Sequence, residues 1–229
     1  MMHPLDIKFS TPLEREYEAW IIQGIENYFI SLGVKVAIWA VSPDEEVSWP
    51  ADEKLVVGKK LVGLQLKKVE YKDNRKRPKD FGRLNWKFHN PPGQFDLVMK
   101  FPEIFYCLPT FVNREFKRQA IHHCLFWRPK QSEKRDLNAW YDNSQARTPH
   151  KSIAKAPRWG LFIEQVMGCS VGKKVKAIND AKDYVESIRE AMIQPLDDRE
   201  GYDRPNGKSQ TGIPRAESAV YVIALPYQS

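Results

Sequence analysis

The chain has 229 residues, of which 42% are hydrophobic, 12% aromatic and 28% charged. This is the balance of a globular protein and excludes the disordered, collagen-like and disulfide-framework classes; the length suffices for one elaborated domain with a sizeable core. Thirty-six Lys and Arg against 29 Asp and Glu give a net charge of +7 and a pI near 9.2, which raises the odds of a polyanionic partner without establishing one.

The first element opens at Thr11-Pro12-Leu13-Glu14, with an N-cap, a first-turn proline and an acid closing a capping box. Apolar residues then recur at Leu13, Tyr17, Trp20, Ile21, Ile25, Tyr28, Phe29 and Leu32, close to a 3.6-residue period, and Gly33 supplies a stop. The spacing predicts a helix over 12–32. Residues 34–41 alternate and are rich in β-branched side chains, predicting a strand. Lys54–Val57 and Leu61–Val69 are two further predicted strands, joined as a hairpin across Gly58-Lys59-Lys60.

Residues 70–94 are polar and basic and predict a long exposed loop, in which Trp86 and Phe88 are best read as anchors to the core. The apolar runs 95–101 and 104–108 predict two buried strands, and 113–122 a short helix. A polar stretch, 129–158, reads as a loop. Helices are predicted over 158–167 and 177–193, and a final strand over 219–225. No internal repeat is present.

No window approaches the roughly 20 apolar residues of a membrane span, and Met1-Met2-His3-Pro4 lacks the layout of a secretory signal. The expectation is a cytoplasmic protein with no membrane partner. Cys107, Cys124 and Cys169 are an odd number and fit reduced thiols better than bridges. His122-His123-Cys124 offers zinc-type ligands, but adjacent side chains rarely share one ion and no second pair is suitably spaced. The Gly-Lys-Lys turns at 58–60 and 172–174 lack the spacing of a phosphate-cradling loop.

The segment that can carry chemistry runs from Trp49 to Lys68. It sets the acids Asp52 and Glu53 before one strand, and Gln65 and Lys67 on one face of the next, because strand side chains alternate. Hairpin register decides which acid joins them. One parity, favoured by burial of Leu55 and Val57 with Leu64 and Leu66, puts Asp52 opposite Lys67; the other puts Glu53 opposite Gln65. A carboxylate and a carboxamide oxygen are hard ligands suited to Mg²⁺, with Mn²⁺ as a substitute, and a lysine can orient water and stabilise developing negative charge. That set is what phosphodiester hydrolysis requires.

Over roughly residues 12–110 the order of helix, strand, acid-bearing strand and x-x-Lys strand resembles the PD-(D/E)XK nuclease superfamily, which includes restriction endonucleases and Holliday junction resolvases. The resemblance implies a restriction endonuclease-like α/β core, with a central mixed sheet flanked by helices over about 11–128. A helical and loop-rich C-terminal elaboration follows at 129–229 within the same domain. It implies Asp52 as the first metal-binding acid, Gln65 in place of the usual second acid, Lys67 as the catalytic lysine, Glu18 as a supplementary helix acid, and Glu53 as an alternative metal ligand. The sequence departs from the family pattern in the Ala51 between Pro50 and Asp52 and in Gln65 itself. The implied activity is a Mg²⁺-dependent DNA endonuclease acting in defence against foreign DNA or in DNA processing. Lys72, Arg75, Lys76, Arg77, Lys79 and Arg83 would contact the nucleic-acid backbone by charge. A homodimer or a partner subunit is expected where both strands are cut. The competing expectation is a catalytically inactive nucleic-acid-binding or assembly subunit that keeps the fold.

Overall fold

The computed structural model describes residues 4–5, 11–43, 56–71, 84–86, 88, 93–130, 151–168, 170–193 and 219–226. The first helix, α1, is Glu14–Ser31, two residues shorter at its start than the sequence predicts. Glu16, not Glu14, closes its N-terminus: its carboxylate accepts the Leu13 N–H at 2.8 Å. Tyr17, Ile21, Ile25 and Phe29 form the buried i, i+4 stripe. The helix stops at Gly33, whose φ of +69° suits glycine, with the Gly33 N–H on Ile30 O and the Val34 N–H on Phe29 O, both at 2.9 Å.

Among the described residues, eight strands follow in chain order: β1 Ala37–Val41, β2 Lys60–Leu66, β3 Glu70–Tyr71, β4 Leu84–Asn85, β5 Ile104–Pro109, β6 Cys124–Trp127, β7 Lys173–Lys174 and β8 Val220–Leu225. The main sheet has the order β1-β8-β2-β5-β6 with β7 added against β2, while β3 and β4 pair separately. β2 is parallel to β5 and antiparallel to β8, so the sheet is mixed. All seven β2 residues are buried, as a central strand covered on both faces requires.

Helices cover this sheet. α2 is Gln94–Lys100, α3 Lys151–Ala154, α4 Trp159–Met167 and α5 Ile178–Ile193; a 3₁₀ helix spans Arg114–His123. On one face Phe105 and Phe126 meet Phe162 of α4, and Trp159 reaches Phe29 of α1. On the other face Tyr106 and Trp127 stack, Phe88 packs on both, and Phe101 meets Tyr184 of α5.

Two expectations are corrected. Residues 95–101 are not a strand: Gln94, Phe95, Leu97 and Val98 are buried at helical spacing. A helix there supplies the crossover that two parallel strands need. Among the described residues, no hairpin joins the segment ending at Val57 to Leu61–Val69. Val56 and Val57 lie in a turn, and β2 is paired by β8 along one edge and by β7 and β5 along the other. The neighbour is β8, from the far end of the chain, so the central sheet draws on residues both before and after 128. Trp86 and Phe88 anchor their segment as expected; both are buried, and the Trp86 indole N–H donates to Pro109 O at 3.1 Å.

Candidate active site

The chemistry-bearing residues of β2 gather at its C-terminal end. Gln65 sits opposite Tyr106 of β5 and Val220 of β8, so these three share one sheet face. Lys67 continues the strand by one further ladder bond, its N–H donating to Cys107 O at 3.2 Å. Its Nζ lies 6.0 Å from the Tyr106 ring centroid, on the same face as Gln65.

Both side chains are withdrawn from water, at 2% exposure each. Burial pulls the Lys67 amine down to about 8, against partial opposition from the Glu14 carboxylate. A lysine in that range exchanges its proton near neutral pH. The Gln65 Nε2 reaches Leu66 O only at 3.5 Å, and its Oε1 is buried with no hydrogen-bond partner among the described residues. Buried polar atoms without partners are uncommon in folded proteins and call for an explanation.

The acid of α1 that Lys67 feels is Glu14. Burial raises the Glu14 carboxyl above the usual range, while Lys67 and Lys68 pull it back. Glu18 is placed differently. It accepts from the Tyr221 hydroxyl, and Tyr221 sits opposite Leu64, on the other face of the sheet from Gln65. Burial and then the Glu14 charge raise Glu18, and burial with Glu18 pushes the Tyr221 phenol up to about 12. Glu18 and Tyr221 line a cleft of about 410 Å³ with Ala19, Ile22, Gln23 and Glu26. Glu16 is committed elsewhere, its carboxylate taking the Arg114 guanidinium at 2.7 and 2.8 Å. The helix therefore offers Glu14 to the Lys67 end and Glu18 to a separate cleft.

Asp52, Glu53, Lys72, Arg75, Lys76, Arg77, Lys79 and Arg83 lie outside the described residues. Among the described residues, no three Asp, Glu, His or Cys side chains are grouped to hold an ion. Of a magnesium shell, the described residues offer one hard oxygen, the buried Gln65 Oε1, which has no hydrogen-bond partner among them.

Outside this site, Cys107 and Cys124 are buried thiols, and burial with the neighbouring Cys107 raises Cys124 far above its ordinary value. It is therefore a poor thiolate. His123 is half-buried against Phe116, with its imidazole lowered first by burial. Lys60 is buried too, but its ammonium serves the end of α4, donating to Val166 O at 3.1 Å and Val171 O at 2.6 Å.

Two buried residues with polar side chains, Gln94 and Tyr106, are missing from the sequence reading. Gln94 opens α2, 4% exposed, with neither side-chain atom partnered among the described residues. Tyr106 lies under Lys67 with its hydroxyl on Phe88 O at 3.3 Å. An expected strand beginning at residue 95 gave Gln94 no signal, and Tyr106 reads in sequence as core.

Comparison with known proteins adds no identity. No protein-family model matches the chain, and neither does any curated protein or solved structure. The reading of the site therefore rests on its own chemistry.

Proposed function

We propose that the chain is a metal-dependent nuclease that hydrolyses phosphodiester bonds, with DNA as its substrate. The observation that carries this reading is the presence, on one face at one strand end, of a desolvated lysine amine and a buried carboxamide oxygen with no hydrogen-bond partner among the described residues. Lys67 stabilises charge on the phosphoryl oxygens and orients the attacking water; Gln65 Oε1 would hold Mg²⁺ together with Asp52, or with Glu53 in its place. When bound, the metal would supply charge neutralisation and an acidified water. Attack forms a bond from the water oxygen to phosphorus, breaks the phosphorus–ester oxygen bond, and passes the water proton to the departing oxygen. The products are a phosphomonoester and a free hydroxyl.

Lys72, Arg75, Lys76, Arg77, Lys79 and Arg83 follow the catalytic strand in sequence and supply sequence-independent phosphate contacts. A role in defence against foreign DNA or in DNA processing follows from the family resemblance. No helix among the described residues is long and apolar enough to cross a membrane.

A second reading, a nucleic-acid-binding or assembly subunit without activity, is favoured by one feature: the second ligand position holds a neutral Gln65 instead of an acid. The test is incubation of linear duplex, supercoiled plasmid, branched and single-stranded DNA with Mg²⁺, Mn²⁺ or EDTA. Metal-dependent cleavage that Lys67→Ala abolishes supports the nuclease. DNA binding that persists in EDTA, without cleavage under any condition, supports the second reading.

A further inference from the structure

The His122-His123 pair closes the 3₁₀ helix Arg114–His123, and the fold sets that helix at the Lys67 end of the sheet. β5 runs parallel to β2, and the Lys67 N–H donates to Cys107 O. Three residues farther along, a rise of about 10 Å, Thr110 gives both its N–H and its hydroxyl to His123 O, at 2.7 and 2.8 Å. The 3₁₀ helix therefore hangs from the end of the sheet at which Lys67 continues β2. The first turn of α1 is held there too, since Glu16 takes the Arg114 guanidinium and the Tyr17 hydroxyl donates to Phe111 O at 2.7 Å.

A second basic segment, 155–158, is pinned to this helix. The Phe126 N–H donates to Pro157 O at 2.9 Å, Leu125 bridges to Arg158, and the Arg158 Nη1 donates to His122 O at 3.3 Å. The charges meet at His123, whose imidazole is lowered first by burial and then by Arg158 and His122. Lys117, Arg118, Lys155 and Arg158 are all exposed. Arg118 stands four residues from His122, about 8 Å of 3₁₀ rise. Glu115 is the only acid in 114–123, and 155–158 has none. Two segments distant in sequence thus put four exposed cations on one surface.

A grouping of lysines elsewhere provides the contrast. The Gly-Lys-Lys turns at 58–60 and 172–174 are laid side by side, with Lys60 paired to Lys174 and Leu61 to Lys173. They sit at the start of β2, about 23 Å of strand away from Lys67. Their charges also have local company. Asp180, held low first by the Ala177 and Lys176 backbone N–H groups, feels Lys173 and Lys176 as well, and the Lys173 Nζ lies 4.5 Å from the Tyr184 ring centroid.

We propose that Lys117, Arg118, Lys155 and Arg158 form a surface that holds the phosphate backbone of a nucleic acid beside the Lys67 end of the sheet. This rests on the nuclease reading and deepens it by naming where its substrate is gripped. Exposed Lys and Arg neutralise phosphates and release counterions, so log affinity falls linearly with log salt, by a slope of about 0.9 per contact. Such contacts position the backbone and carry no base information.

The test measures binding of a duplex DNA oligonucleotide in EDTA across a series of KCl concentrations. Arg158 is left in place because it also holds His122 O. Lys117→Ala, Arg118→Ala and Lys155→Ala combined are expected to lower the salt slope by about two to three and the affinity at low salt by about tenfold or more. Lys173→Ala, Lys174→Ala and Lys176→Ala combined remove the same charge at the other end of β2 and should change the slope by less than about one. An equal loss of slope in both variants, or an unchanged slope in the first, would overturn the proposal, as would a wild type that binds no duplex at the lowest salt. Should the first variant not fold, Lys117→Gln with Arg118→Gln is expected to lower the slope by about two. Plasmid cleavage in Mg²⁺ separates this surface from the reading beneath it. Cleavage by wild type with an unchanged slope in the first variant overturns the surface and leaves the nuclease. Loss of slope in that variant, with no cleavage by wild type, overturns the nuclease and leaves the surface.

Discussion

Lys67 holds a position that folding alone does not favour. Its amine titrates at about 8 in place of the ordinary 10.5, with burial as the leading cause. Between those values the unfolded chain binds more protons than the folded one, so this residue makes stability rise with pH across about 8 to 10.5. Below that window the buried charge costs on the order of 3 kcal/mol. Lys67→Met is therefore expected to raise the thermal midpoint at pH 7 in EDTA, and the gain should shrink as pH rises toward 10. An unchanged or lower midpoint would mean the amine is held by favourable contacts and contributes to stability. Glu16 illustrates the opposite economy, since one carboxylate serves both the Leu13 N–H and Arg114. With both partners about one-third exposed, Glu16→Ala should cost only about 1–2 kcal/mol in urea titration. Hydrogen bonding to Arg114 holds the Glu16 carboxyl low, so this contribution is present above the ordinary carboxyl value and fades as pH falls through the lowered one.

At the scale of elements, the legible part of the chain was that with long and regular patterning. α1, α4 and α5 carry apolar residues over two turns or more, and β5 and β8 are short apolar runs bounded by breakers, so type and place follow from the sequence. The run 95–101 is too short to separate a buried strand from a helix, and tertiary need decided it. The hairpin expectation failed for a different reason: a local turn signal at Gly58 does not reveal that a strand more than 150 residues later fits the same edge better. Strand alternation correctly put Gln65 and Lys67 on one face, whereas the choice between Glu14 and Glu18 depended on how α1 lies on the sheet, which its periodicity does not encode. Gly63 tests the packing beneath the site. An added Cβ would lie 2.8 Å from Ile104 Cγ1 and 3.2 Å from Val220 Cγ1, so Gly63→Ala must separate β2 from a neighbour. Denaturant titration should show a loss of about 1–3 kcal/mol, and a neutral result would mean that the β5 and β8 edges yield easily.

For the whole molecule, the decisive strand is the last one. β8 joins β1 to β2, so without it β1 has no partner in the described sheet and β2 presents a bare apolar edge. A chain ended at residue 218 should aggregate or lose cooperative unfolding, while a cooperative, monomeric truncation would contradict the central place given to β8. The net charge of +7 acts at the same scale, through salt-dependent attraction to polyanions.

The central claim is that the β2 end hydrolyses phosphodiester bonds with a metal and Lys67. Its most direct measurement is cleavage of supercoiled plasmid by the purified protein and by Lys67→Ala, each in Mg²⁺ and in EDTA. The account predicts nicked or linear product from wild type in Mg²⁺ alone, and none from Lys67→Ala under either condition. Equal cleavage by both proteins, or binding by wild type with no product in any metal, would contradict it.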